Sequence, residues 1–349
     1  MIRFTSDYCE GAHPTLLAAL ADTNLEGNPG YGTDDHCQAT ARMLCRLIGQ
    51  PDAQVHFLTG GTQTNQTAIA AFLRPHEAAI CAASGHINVH ETGAIEATGH
   101  KCLAIYCPDG KLTPGAVQAV LDAHTDEHMV KPKLVYISQT TEVGTVYSLE
   151  ELRALRRICD EKGLYLYLDG ARLASALALG SISLTAVASL TDAFYIGGTK
   201  NGALFGEALV ICNPALQPDF RYLIKQRGGM LAKGWLLGVQ FEKLFENGGA
   251  LYLELGRHAN EAAARLREGL KARDVLFDMD SPSNQLFVQL PESVLEGLQP
   301  DFTWTDMKPA GSGRRSIRLV TSWATTPEQV DAFLAALDRL CLLYTSRCV

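Results

Sequence analysis

Two charged residues interrupt apolar runs in the middle of the chain. Asp169 closes the run in GLYLYLDG, and Lys200 follows AFYIGGT 31 residues later. Both runs are short, aromatic and β-prone, and both end beside glycine, which is how buried strands of an α/β sheet read. Ligands of such sheets bind beyond the carboxyl ends of the strands, so both charges point at one crevice. A lysine amine placed there can condense with an aldehyde, and a carboxylate can keep a pyridine nitrogen protonated so that the ring accepts electrons. That pair of tasks is what a pyridoxal phosphate site requires. The plainer alternative is a buried aspartate and an exposed lysine that never meet.

Three further features can serve the same crevice. The segment VHFLTGGTQTNQTAIAAFL reads as strand, glycine turn and helix, with the helix starting near Thr62. Backbone N–H groups freed at such a start, with glycines allowing close approach, make a cradle for a phosphate. A purely structural turn would show the same pattern. His86 follows the short strand Ala78 to Cys81 and so stands at a strand end, as Asp169 does. Arg318 lies between Ile317 and Leu319 in a strand and faces away from both, where it could clamp a substrate carboxylate or simply meet solvent beside Arg314 and Arg315.

The elements that position these residues alternate from Val55 to Asn213, strand then helix, which predicts a mainly parallel sheet with helices on both faces. One helix is marked at both ends: Ser148 and Glu151 form a capping box, Leu149, Leu152, Leu155 and Ile158 face inward, and Gly163 stops it. Beyond Phe220 the pattern becomes mostly helical and then strand-like at 284–290, 301–306 and 316–320. We therefore expect an N-terminal segment and large domain over 1–244, a smaller α+β domain over 245–340, and a non-native or disordered tail over 341–349. In a chain of 349 residues, 47% apolar and 19% charged residues predict a globular protein rather than a disordered one. The formal charge of −8, without a basic stripe, argues against a nucleic-acid partner. The first residues, MIRFTSDYCEG, carry no apolar core of signal-peptide length, and no run is long enough to span a bilayer. The ten cysteines are scattered singly, without zinc-like spacing, so no metal is expected and they read as reduced thiols of a cytoplasmic protein.

Taken in order, SDY near the start, GYGTDD, LTGGTQTN, the His86 segment, YLDGARL, the Lys200 segment and IRLVT resemble the low-specificity L-threonine aldolase family. That family lies within the fold-type I pyridoxal phosphate enzymes and the β-eliminating lyase group. The resemblance spans the chain to about residue 340; LDGAR followed by the lysine segment is its more specific part. It implies Lys200 as the Schiff-base lysine, Asp169 as the pyridinium partner, and Gly61 and Thr62 as phosphate ligands. It implies His86 stacked on the cofactor ring, and Ser6, Arg172 and Arg318 around the substrate carboxylate, with Arg172 also near the cofactor. Tyr31 would line the site, across a subunit interface if the chain is a homodimer or homotetramer as family members are.

Three positions depart from the family pattern. Glu142, in QTTEVG, stands where the family often has a histidine. Lys200 sits in Thr199-Lys200-Asn201 rather than Ser-Lys-Gly. Leu231 replaces an arginine after GGM, leaving Arg227 or Lys233 as substitutes. The implied activity is retro-aldol cleavage of a 3-hydroxy amino acid, L-threonine or L-allo-threonine, to glycine and an aldehyde, with His86, Glu142 or a water as base. The alternative is a β-eliminating lyase or aminotransferase, which would use the same Lys200 and Asp169 but break Cα–H first.

Overall fold

The computed structural model describes residues 1–345. Strand β1 (Ile2–Arg3) is followed by the strands of the central sheet: β2 (Gln54–Leu58), β3 (Glu77–Ala82), β4 (Cys102–Ile105), β5 (Lys131–Ser138), β6 (Tyr165–Asp169), β7 (Ala193–Gly197) and β8 (Glu207–Ile211). They form one seven-stranded sheet in the order β2-β8-β7-β6-β5-β3-β4. Neighbours from β7 across to β4 are parallel, whereas β8 runs antiparallel to both β7 and β2. The sheet is mainly parallel, as expected, with helices connecting its strands. Strands β3, β6, β7 and β8 are almost wholly buried, which explains their continuous apolar runs.

Chain order reverses direction across the sheet between β3 and β5. In a doubly wound sheet that reversal opens a crevice at the carboxyl edge. The helix Leu149–Lys162 delivers the chain to β6. Ser148 accepts a hydrogen bond from the Glu151 N–H while the Glu151 carboxylate accepts from the Ser148 N–H, and Gly163 ends the helix at φ +65°. Leu152, Leu155 and Ile158 enter the main core.

A second core lies under a four-stranded antiparallel sheet of β9 (Leu276–Met279), β10 (Gln285–Pro291), β12 (Thr305–Gly311) and β13 (Arg314–Val320), in the order β12-β13-β10-β9. Strand β11 (Phe302–Thr303) leaves this sheet to pair in parallel with β1. The stretch 301–306, expected as one strand, is therefore two, because its first half is claimed by the N-terminus. Strand β9 lies outside the expected strands; its residues alternate between exposed and half-buried, the mark of an edge.

Two boundaries differ from the sequence expectation. Position 245 falls inside the long helix Trp235–Lys271, which is broken just beyond it. Asn247, Gly248 and Gly249 all take positive φ there, a conformation that this Asn-Gly-Gly run makes inexpensive. The last helix, Pro327–Thr345, continues into the expected tail; residues 346–349 lie outside the described residues. Among the described residues no helix is long and apolar enough to cross a membrane.

Gly170, between Asp169 and Arg172, is required by a close approach. A Cβ there would stand 1.9 Å from the Tyr195 carbonyl oxygen, a backbone atom of β7. Gly170→Ala is expected to cost about 3 kcal/mol of stability. Chemical denaturation would show it as a lowered midpoint at unchanged slope.

Candidate active site

The carboxyl edge of the sheet opens into a cavity of about 280 Å³ lined by Lys200, Asp169, His86, Glu142, Gly61 and Thr62 among others. Each arrives by the same route. Gly61 and Thr62 follow β2, His86 follows β3, Glu142 follows β5, Asp169 is the last residue of β6, and Lys200 stands three residues beyond β7.

Asp169 is buried among donors. Its Oδ2 accepts from Tyr136 Oη at 2.6 Å and Asn65 Nδ2 at 2.9 Å; its Oδ1 accepts from Tyr195 Oη at 2.5 Å and the Ala171 N–H at 3.0 Å. Burial opposes its charge, but His86 and these hydrogen bonds prevail and hold the carboxyl below its usual range. Lys200 experiences the opposite balance. Burial, followed by repulsion from Arg172, lowers its amine below the ordinary lysine value despite attraction from Asp7, Asp169 and Glu207. Its Nζ also lies 5.9 Å from the centre of the Tyr8 ring.

The helix Gly61–Phe72 starts at Gly60 without a side-chain cap, so its first N–H groups face the cavity uncompensated. Gln63 in its first turn donates to the Arg227 carbonyl at 3.4 Å, and Arg227 Nε is buried without a partner among the described residues. Of the two substitutes for the missing family arginine, Arg227 thus lies beside the cradle, whereas Lys233 is exposed.

Glu142 Oε1 accepts from Ser138 Oγ at 2.6 Å and from the His86 N–H at 2.9 Å. Burial, reinforced by Asp169, pushes its carboxyl above the usual range. His86 Nδ1 lies 2.8 Å from Glu91 Oε1, whose carboxylate also accepts from Asn65. His86 and Glu142 are therefore held against each other and stand on either side of the reversal between β3 and β5.

Other candidates are placed differently. Arg172 lines the cavity, but its guanidinium is committed to Asp7, with Nε–Oδ2 2.7 Å and Nη2–Oδ1 3.1 Å. Arg318 is half-buried on β13. It donates to Thr305 Oγ1 at 3.4 Å, and its Nε is buried without a partner among the described residues. Burial and the nearby Arg172 lower its pKa. Ser6 is buried with its hydroxyl 3.3 Å from Cys9 Sγ and does not line the cavity. Tyr31 does not line it either. It borders a separate recess with Arg221 and Met230, and Lys225 Nζ sits 4.4 Å from its ring centre.

The sequence reading passes over Asp7, Tyr8, Ser138 and Glu207, although all but Asp7 line the cavity and Asp7 holds Arg172. Glu207 carried a usable signal: a carboxylate that opens the otherwise apolar strand EALVI. Together these groups suit a phosphorylated pyridine aldehyde. The uncapped helix start could take a phosphate, the carboxylate held below its usual range could face a ring nitrogen, and the amine with the lowered pKa could condense with an aldehyde.

Comparison with known proteins gives a consistent picture. The sequence model of the family described as beta-eliminating lyase matches residues 4–293. The chain is 34% identical over 341 residues to the low specificity L-threonine aldolase of a Pseudomonas species, covering 95% of this chain and 96% of that protein. It is 33% identical over 335 residues to the protein of the same name from Pseudomonas aeruginosa, covering 94% of each. A solved structure of Leishmania major threonine aldolase superimposes with a TM-score of 0.96 at 50% identity, covering 97% of this chain and 99% of that one.

Proposed function

The chain belongs to the beta-eliminating lyase family, on its low-specificity L-threonine aldolase branch, and we propose that it cleaves L-threonine or L-allo-threonine to glycine and acetaldehyde. The fold is fold-type I of the pyridoxal phosphate enzymes. The observation that carries the reading is the convergence of Lys200, Asp169, His86, Glu142 and the uncapped helix start on one cavity. The same branch and fold support pyridoxal phosphate as the cofactor.

Bound there, pyridoxal phosphate supplies an electron sink that weakens one bond at the substrate Cα. Lys200 holds the cofactor through Nζ, and its lowered pKa favours the amine with a free lone pair. Gly61 and Thr62 N–H groups would hold the phosphate. Asp169, held ionised, would keep a proton on the ring nitrogen. His86 would cover the ring. Arg318, with a donor to spare, would take the substrate carboxylate beside Arg172, which Asp7 of the N-terminal segment holds against the cavity. By fixing the carboxylate, Arg318 would orient the substrate for cleavage between Cα and Cβ. Glu142 takes the proton of the substrate β-hydroxyl. Tyr31 serves the cavity of a neighbouring subunit in a cytoplasmic homodimer or homotetramer, and the domain division falls at the broken segment Glu246–Gly249.

The test is an assay of purified protein with pyridoxal phosphate, adding L-threonine and then L-allo-threonine and measuring both products. Glycine and acetaldehyde in equal amounts are expected. A change in cofactor absorbance without aldehyde would overturn the aldolase reading in favour of transamination or β-elimination.

Glu142 can be tested separately. Glu142→Gln should lower kcat on the order of a hundredfold. The acid limb of the rate profile should vanish with it. Because burial raises this carboxyl, the wild-type limb should lie above the ordinary glutamate range. A variant that is slow yet keeps the limb would transfer the proton to His86.

A further inference from the structure

Glu91 touches His86 and has no task in that reading. It lies just beyond the short helix His86–Val89, and its side chain is wholly shielded from solvent. His86 Nδ1 stands 2.8 Å from its Oε1. The same oxygen accepts from Asn65 Nδ2 at 2.8 Å, while Oε2 has no partner among the described residues. Both constraints on this carboxylate therefore pass through one atom.

Asn65, buried on the helix Gly61–Phe72, also donates from Nδ2 to Asp169 Oδ2 at 2.9 Å, and its carbonyl accepts from Tyr167 Oη at 3.0 Å. Both of its amide hydrogens are thus spent on carboxylates, and turning the amide over would leave buried polar atoms unpaired. Glu91 Oε1 is fixed as an acceptor by this arrangement. An ionised carboxylate offers only lone pairs, so the hydrogen shared with His86 sits on Nδ1. In a neutral imidazole the bond made by one nitrogen decides the state of the other, which leaves the lone pair on Nε2.

We propose that Glu91 is a positioning residue for the cleavage reaction: it fixes the plane of the His86 ring and keeps a hydrogen on Nδ1, leaving Nε2 as the ring's acceptor. The inference rests on His86 serving the cofactor site. The titratable groups that face Glu91 are His86 and Asp169, with Tyr136 on β5 and Tyr167 on β6. Burial pushes the Glu91 carboxyl up, while its contacts with His86 and Asn65 favour the ionised form.

The experiment reads the ring nitrogens of His86 by NMR in the full-length protein labelled with 15N-histidine, with and without pyridoxal phosphate. The signals missing from His86→Phe assign the residue. In the wild type, neutral His86 should carry its hydrogen on Nδ1. Glu91→Leu removes the acceptor, so the hydrogen should appear on Nε2. Glu91→Gln keeps an acceptor oxygen, which Asn65 also requires, and should hold the hydrogen on Nδ1. In the product assay Glu91→Leu should lower kcat by about tenfold or more, and by less than about twofold when made in His86→Phe, which keeps a ring without nitrogens. Glu91→Gln should recover most of the loss. A wild-type His86 with its hydrogen on Nε2 would overturn the proposal, whether or not the variants fold. Equal losses from Glu91→Leu in both backgrounds would also overturn it, since Glu91 would then act through Asn65 and not through His86. Failure of the wild type to release aldehyde would instead overturn the aldolase reading, and with it the role of Glu91 in that reaction, while a hydrogen found on Nδ1 would stand.

Discussion

Lys200→Ala should leave a folded protein that no longer turns over and no longer shows the visible absorbance of a lysine-bound cofactor. The expected loss of kcat is on the order of 10⁴-fold or more, since no other amine lines the cavity among the described residues. Stability should change little or rise. The amine sits in a buried corner that already lowers its pKa, so removing it relieves a desolvation cost and the repulsion from Arg172. The relief is partial, because Asp7, Asp169 and Glu207 lose an attractive partner. The measurement combines an absorbance spectrum with pyridoxal phosphate, product assay and a melting curve. Normal turnover would sink the assignment of the site. Loss of turnover with the absorbance intact would mean that another amine holds the cofactor.

The residues legible in the sequence share one property: each ends a parallel strand. Asp169, His86, Glu142 and Lys200 interrupt or follow apolar runs, and a parallel sheet sends all such ends to one edge. The fold class was legible for the same reason, through the alternation of strand and helix. Strand direction, by contrast, leaves no local mark. Glu207 begins a strand, and only the antiparallel course of β8 brings that beginning to the functional edge. The Arg172–Asp7 pair joins residues 165 apart in the chain and depends on how the N-terminal segment lies against β13, where Phe4 accepts from the Val320 N–H. No periodicity reports such a contact. Tyr31 shows the converse limit. A motif can mark a residue as functional without stating which cavity it borders, and within this chain it borders a different one.

Asp169→Ala should combine the largest loss of activity short of Lys200 with a measurable loss of stability. The carboxylate is the common acceptor of Tyr136, Tyr195 and Asn65, which reach it from β5, β7 and the helix Gly61–Phe72. Removing it leaves two hydroxyls and an amide buried without that acceptor, a cost on the order of 3 kcal/mol. It also removes the charge that we propose keeps the proton on the cofactor ring, for which we expect a fall in kcat of about 10³-fold. Asp169→Asn separates the two effects, because the amide retains an acceptor oxygen and the volume while losing the charge. The Asn variant should be nearly as inactive as the Ala variant but markedly more stable. The sign of the acid response follows from the folded-state shift. Asp169 is held below its ordinary value, so its contribution is full above the unfolded aspartate pKa of about 4 and fades as pH falls through the folded value. On acidification the wild type should therefore lose the part of its advantage over Asp169→Ala that depends on charge and keep the part that Asp169→Asn also keeps, so the two denaturation curves draw together at low pH without meeting. Curves that stay a constant distance apart would show that the hydroxyl and amide network, rather than the ionised carboxylate, carries the stabilisation.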